Sequence, residues 1–291
     1  MACLSLACLS LASHDETERN EALNSRMRVL AKRRLKELGF SIIRLSDRLG
    51  EFVHYDSESP TSYAMGATLV YDLMRFRPEM VMHVIAINDE RPERYHDETL
   101  QMAREHGVPI TFANDQLMWN GRRLKHSIIA EFVKWEDELR PGSHVVIVEP
   151  ALMGNVGAII RTALAFGIHD VAIIKEGLDT FSPSLVRGSM GARLGLHVEA
   201  FSSFEEYRER FGENHIYAFM LDGAVGLSDV KKIAPFSLVF GNETVGLPAE
   251  YAGYGQPVFI EQGEDVDSLN VATSAALGIY AFTRACPIDT D

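Results

Sequence analysis

The stretch SLVFGNETVGL, Ser237 to Leu247, decides how the rest of the chain is read. An apolar run, Leu238-Val239-Phe240, stops at Gly241 and is followed by Asn242, Glu243, two small or β-branched residues and Gly246. A short apolar run bounded by such residues reads as a buried strand. A glycine at its carboxyl end permits a sharp turn or close backbone approach to a ligand. In open α/β sheets ligands sit at the carboxyl ends of the strands, so Asn242 and Glu243 are candidates for a site. A plain strand-to-helix turn, with Pro248 opening the helix, is the alternative for the stretch alone.

Outward from this strand the second half of the chain alternates regularly. HVVIVEP (144–150), DVAIIK (170–175), HIYAFML (215–221) and PVFIE (257–261) read as strands. NVGAIIRTALAFG (155–167), PSLVRGSMGA (183–192), FEEYRERFG (204–212) and SLNVATSAALGIYAFTRA (268–285) read as helices. The expectation is a parallel α/β sheet with helices on both faces.

Upstream, residues 62–118 form a smaller α/β pattern: a helix from Ala64 to Met74, the strand MVMHVIAIN, the helix ETLQMAREHG stopped at Gly107, and the strand VPITFA. A charged segment, EFVKWEDELRPGS, leads out of it, and Pro141-Gly142-Ser143 marks the expected boundary between a region 21–140 and a domain 141–291. Residues 1–20 carry a direct repeat, ACLSL, with no basic flank, and read as a disordered leader, with a weak targeting signal as the alternative. Residues 21–48 have helical period, with Met27, Leu30, Leu35 and Leu38 opposite a basic face.

The 291 residues include three cysteines, Cys3, Cys8 and Cys286, in positions that suggest no disulfide framework. No zinc-type spacing and no membrane-length apolar run occurs, so a metal-free cytoplasmic protein is expected. The formal net charge of -13 argues against non-specific coating of nucleic acid. The basic residues concentrate in Arg26 to Lys36 and Gly121 to Lys125, so a polyanionic partner would be held by the first half.

Two further segments carry chemistry. In Pro150-ALMGNVGAIIRTALAFG, Asn155 is a candidate helix cap. Arg161 is expected in the second turn, near the positive helix end, an unfavourable place for a cation unless function requires it. In Ile260-EQGEDVDSLNVATSAA, Ser268 and Asn270 head an apolar helix on either side of Leu269, which is expected to be buried; capping accounts for one of them. No G-x-S-x-G surrounds Ser268, which speaks against a serine hydrolase. The absence of G-x-G-x-x-G speaks against a dinucleotide-dependent oxidoreductase.

In order, NVGAIIRT, FGNETVGL and IEQGEDVDSLNV resemble the three motifs of the SpoU/TrmH group of SPOUT RNA methyltransferases, over residues 144–285. The 62–118 segment resembles, more weakly, the small ribosomal-protein-type α/β domain often fused ahead of it. The resemblance implies a trefoil-knotted α/β domain and a homodimer with the active site completed across the interface. It also implies S-adenosyl-L-methionine as methyl donor and transfer to a ribose 2′-hydroxyl of rRNA or tRNA. By motif position it implies donor contacts at Gly241, Ile260 and Leu269. Asn155, Arg161, Glu243, Ser268 and Asn270 become the catalytic set, with Glu243 expected to pair with Arg161. The sequence departs from the family's Pro-Met at Glu261-Gln262 and adds Glu264, Asp265 and Asp267. Acidic residues there repel phosphate and motivate an alternative, a non-catalytic RNA-binding relative such as an assembly factor or scaffold.

Overall fold

The computed structural model describes residues 55–87, 94–113, 118–119, 122–123, 127–222, 225–263 and 265–285. The leader 1–20, the basic helix at 21–48 and Glu264 lie outside the described residues. The chain divides into two compact units, residues 1–134 and 135–291.

In the first unit, β1 (Thr61–Met65), α1 (Ala67–Phe76), β2 (Val81–Ile87), α2 (His96–Glu105), β3 (Ile110–Ala113) and β6 (Ile128–Val133) form the body, with a two-stranded ribbon of β4 (Met118–Trp119) and β5 (Arg122–Arg123). The sheet order is β1-β6-β2-β3. β6 runs antiparallel to both neighbours, and β2 and β3 are parallel. α1 buries Ala67, Leu69, Val70, Leu73 and Met74, the spacing of one helical face. Two expectations are corrected here. The helix expected from Ala64 starts at Ala67, because Ser62 and Ala64 alternate inward as strand residues and Gly66 turns the chain at φ 102°. IIAEFV, read as part of a connecting segment, is instead a central strand, its buried run disguised by the charges around it.

The second unit carries the site. Its elements are β7 (His144–Val148), α3 (Met153–Ala165), β8 (Asp170–Ile174), α4 (Pro183–Gly188), β9 (His197–Phe201), α5 (Phe204–Phe211), β10 (His215–Phe219), β11 (Val225–Gly226), β12 (Phe236–Phe240), β13 (Gln256–Phe259) and α6 (Val271–Ala285). They build one seven-stranded sheet in the order β11-β13-β10-β12-β7-β8-β9, with every pairing parallel. Side chains alternate across it as strand geometry requires. Val145 and Ile147 of β7, with Leu238 and Phe240 of β12, pack under Val156, Ile159, Ile160 and Ala163 of α3 and Ala275, Ile279 and Phe282 of α6. Val146, Val148 and Val239 face the opposite layer, against Phe204, Tyr207 and Phe211 of α5. Each such valine, leucine, isoleucine or phenylalanine side chain contributes roughly 1.5–3 kcal/mol on burial. Helices therefore cover both faces, as the apolar runs implied. β9, hidden in the polar sequence HVEAF, is an added edge strand with only Val198 and Phe201 buried.

Residues 135–140 are fastened to this unit, so the expected boundary at 141–143 lies inside it. Asp137 accepts from the Val198 N–H and pairs with the fully buried Arg193 at 2.8 Å. Glu199 accepts from the Leu139 N–H, and Asp170 from the Arg140 N–H and guanidinium.

Candidate active site

Four adjacent strands, β13, β10, β12 and β7, end on the same edge of the sheet, and their loops meet there. The loop after β12 is closed on itself: Asn242 and Gly246 exchange backbone hydrogen bonds at 3.2 and 2.9 Å, with Gly246 at φ 69°. The Asn242 Oδ1 accepts from the N–H groups of Thr244 and Val245, fixing the turn. A side chain at Gly241 would collide with the backbone of Gly246 and Leu247, so only glycine lets the loop fold flush onto the strand end. The turn thrusts Glu243 towards β7.

There Glu243 meets the amino end of α3. Its Oε2 accepts from the Ala151 N–H at 2.8 Å, and its Oε1 from the Leu152 N–H at 3.0 Å and from Asn155 Nδ2 at 3.1 Å. The first N–H groups of a helix have no partner within it, and Leu152, at the cap position, supplies no side-chain bond. A carboxylate from about ninety residues away thus provides the capping charge. Burial pulls the Glu243 carboxyl upward. The hydrogen bonds it accepts outweigh that and hold it below the ordinary carboxylate range.

Asn155 is locked from both sides. It donates to Glu243, and its Oδ1 accepts from Asn270 Nδ2 at 3.2 Å. Asn270 also accepts from the Ala272 N–H at 2.8 Å, opening α6. Asn155, Glu243 and Asn270, from three separate segments, therefore form one hydrogen-bonded chain. Beside it lies a cavity of about 280 Å³ whose lining includes Phe240, Gly241, Ile260, Ser268 and Leu269. Ser268 is exposed, with no side-chain partner among the described residues.

Several expectations change. Asn155 does not cap α3: the helix begins at Met153, and Asn155, in its first turn, braces Glu243 instead. Arg161 is the ninth residue of α3, in the third turn, where the helix-end field has faded. It is exposed, and no ion pair joins it to Glu243 among the described residues. Six residues past Asn155, it points about 120° away around the helix and about 9 Å further along. Leu269 is half-buried and lines the cavity rather than the core. Glu261 is turned aside, accepting from the Ser228 N–H at 3.0 Å; its own backbone N–H and then that of Ser228 hold its carboxyl below the usual range.

The SpoU rRNA Methylase family model matches residues 142–280, which span the sheet from β7 onward and all three of these segments. Over that segment the chain resembles the SpoU methylase family. Over 229 residues, 76% of this chain and 43% of the relative, the protein is 28% identical to the ribosomal RNA small subunit methyltransferase G 2 of Syntrophobacter fumaroxidans. It is 30% identical over 152 residues to the 23S rRNA (adenosine(1067)-2′-O)-methyltransferase of Streptomyces laurentii, covering 49% of this chain and 54% of that one. The chain thus spans about half the length of the curated relatives it matches. In fold it resembles the SpoU methyltransferase AviRb from Streptomyces viridochromogenes, solved with the cofactor AdoMet. The TM-score is 0.65 at 21% identity, over 78% of this chain and 90% of that one.

In the matched segment, two contributors lie outside the catalytic set that the motifs implied. Asn242 Nδ2 donates to the Glu149 carbonyl at 2.7 Å, and Lys175 Nζ to the Pro150 carbonyl at 2.8 Å. The order Phe240-Gly-Asn already placed Asn242 at a strand end. Lys175, at the end of β8, carried no signal beyond its position.

Proposed function

We propose that this protein is an S-adenosylmethionine-dependent RNA methyltransferase acting on a ribose 2′-hydroxyl of rRNA or tRNA. The observation that carries the reading is the hydrogen-bonded chain Glu243–Asn155–Asn270 beside the cavity at the carboxyl edge of the sheet. The Streptomyces laurentii relative, a 2′-O-methyltransferase by name, supports the reaction, and AviRb, with its bound AdoMet, supports the donor.

The cavity suits an amphipathic nucleoside–amino acid. Ile260, Val258 and Leu269 give it apolar wall, and Ser268, Asn242 and Gln262 give it polar wall. We assign the donor to Gly241, Ile260 and Leu269, with Ser268 at its polar end. When bound, the donor supplies an electrophilic methyl on a sulfonium. The protein's task is then to hold a 2′-oxygen in line with it. Glu243 has both oxygens committed to N–H donors, so it serves as an anchor and not as a base. It fixes the start of α3 and, through Asn155 and Asn270, the start of α6. Arg161 orients the 2′-hydroxyl and clamps an RNA phosphate. A guanidinium with a pKa above ~12 does not abstract protons.

Because Arg161 faces away from the Asn155 side of α3, a homodimer in which it serves the partner's site is the arrangement we favour. Gly154, Ala158 and Ala165 make an exposed stripe of small residues around it, and Phe166, Leu277 and Tyr280 add exposed apolar surface on α3 and α6. We also place a trefoil knot in the carboxyl-terminal part of this unit, RNA recognition in the region 21–140, and the enzyme in the cytoplasm. Among the described residues no helix is long and apolar enough to cross a membrane. Arg161→Ala should abolish transfer of labelled methyl from S-adenosylmethionine to RNA while calorimetry shows donor binding intact; undiminished transfer would remove Arg161 from the reaction.

A further inference from the structure

Four consecutive residues ahead of α3 are seized by three side chains. Asn242 holds the Glu149 carbonyl, Lys175 the Pro150 carbonyl, and Glu243 the N–H groups of Ala151 and Leu152. The turn needs this. Glu149 sits at φ 46°, in the left-handed region that side-chain-bearing residues avoid. Such a conformation persists only where the surroundings over-determine it. Two of the clasps come from the loop after β12. The third comes from the residue that follows a different strand, β8, and from outside all three motifs.

Lys175 is half-buried, and among the described residues its ammonium makes one hydrogen bond, to a neutral carbonyl. A lysine held only for solubility would leave its long stem free, since ordering it costs side-chain entropy. Here the charge-assisted bond fixes the Pro150 carbonyl, which the β12 loop does not reach. The donor cavity is lined by neither Lys175 nor residues 149–155. What Lys175 governs is the path into α3, and with it Asn155, and Arg161 further along the same helix.

We propose that Lys175 is a positioning residue for methyl transfer, setting the start of α3 through the Pro150 carbonyl without touching the donor. The inference rests on the methyltransferase reading of the site. A misplacement of about 1 Å at a reacting centre costs on the order of a hundredfold in rate. Its consequence is therefore a loss of turnover with little change in donor affinity.

The test compares the full chain with Lys175→Met, which keeps the stem, and Lys175→Arg, which keeps a cationic donor. The RNA is prepared from cells lacking the gene, and the donor is S-adenosylmethionine. Lys175→Met should lower kcat by about ten- to a hundredfold, leave the donor Kd within about twofold, and speed amide hydrogen exchange across residues 149–156. Lys175→Arg should restore most of kcat. Wild-type kcat in Lys175→Met, or unchanged exchange at 149–156, overturns the proposal. So does a parallel fall in kcat, donor affinity and melting temperature, which marks a general structural role. If the wild-type protein binds donor but methylates no RNA, the methyltransferase reading fails. The exchange measurement still decides whether Lys175 holds the turn.

Discussion

His144 shows how far a single residue's chemistry is fixed by its neighbours. It is fully buried at the amino end of β7. Its Nε2 lies 2.8 Å from the Arg140 carbonyl, which can only accept, so that nitrogen carries the proton. Nδ1 therefore accepts from the Tyr207 hydroxyl at 2.8 Å. Tyr207 in turn accepts from Ser237 at 2.6 Å, and Ser237 from Asn214 at 3.1 Å. Burial lowers the pKa of the imidazole, outweighing the upward pull of the Arg140 carbonyl and Asp170. The unfolded chain then binds a proton, below about pH 6.5, that the folded chain refuses. Stability from this group is full above about pH 6.5 and declines as pH falls toward the lowered folded value. Melting temperature measured from pH 7.5 to 5.5 should fall, and His144→Gln should flatten that slope at a lower starting value. An unchanged slope would mean His144 titrates alike in both states.

At the scale of elements, α6 shows a conflict between propensity and packing. Gly278 sits in mid-helix, where alanine would gain up to about 1 kcal/mol. Yet an added Cβ would lie 2.6 Å from Phe219 Cζ and 3.1 Å from Phe240 Cζ. Those rings stack at 4.5 Å beneath the helix and line the cavity. Overpacking of this kind costs about 1–3 kcal/mol. Gly278→Ala should therefore lower the melting temperature by a few degrees and weaken donor binding in calorimetry; a more stable variant with full donor affinity would contradict this packing. The strands and helices around the site were legible because buried parallel strands are continuous apolar runs, as in HVVIV and SLVF. β9 and β6 were less legible: HVEAF is half polar at an edge, and IIAEFV is embedded in charge. The start of α3 was misread for a different reason. Asn155 has the chemistry of a cap, but the cap is Glu243, and nothing local to either segment records that meeting.

At the scale of the molecule, two compact units share the chain, and the acidic net charge is unevenly distributed along it. The three motifs made Asn155, Glu243 and Asn270 legible as a set, and the fold brings them together. The place of Arg161 was not legible, because helical phase sends it away from them within one copy. The proposed dimer would resolve this, and mixing subunits tests it. Arg161→Ala and Asn155→Ala proteins, each inactive alone, should regain about a quarter of wild-type transfer after subunit exchange. Half the dimers are then mixed, and each mixed dimer has one complete site of two. No recovery would place Arg161 and Asn155 in the same subunit's site. Methyl transfer to a ribose 2′-oxygen is read out by mapping 2′-O-methyl groups across total RNA. Cells with the gene, without it, and carrying only the Arg161→Ala form are compared. A discrete ribose site in rRNA or tRNA should be methylated only with the wild-type gene. Identical ribose maps in all three, or a lost mark that proves to be on a base, would contradict it.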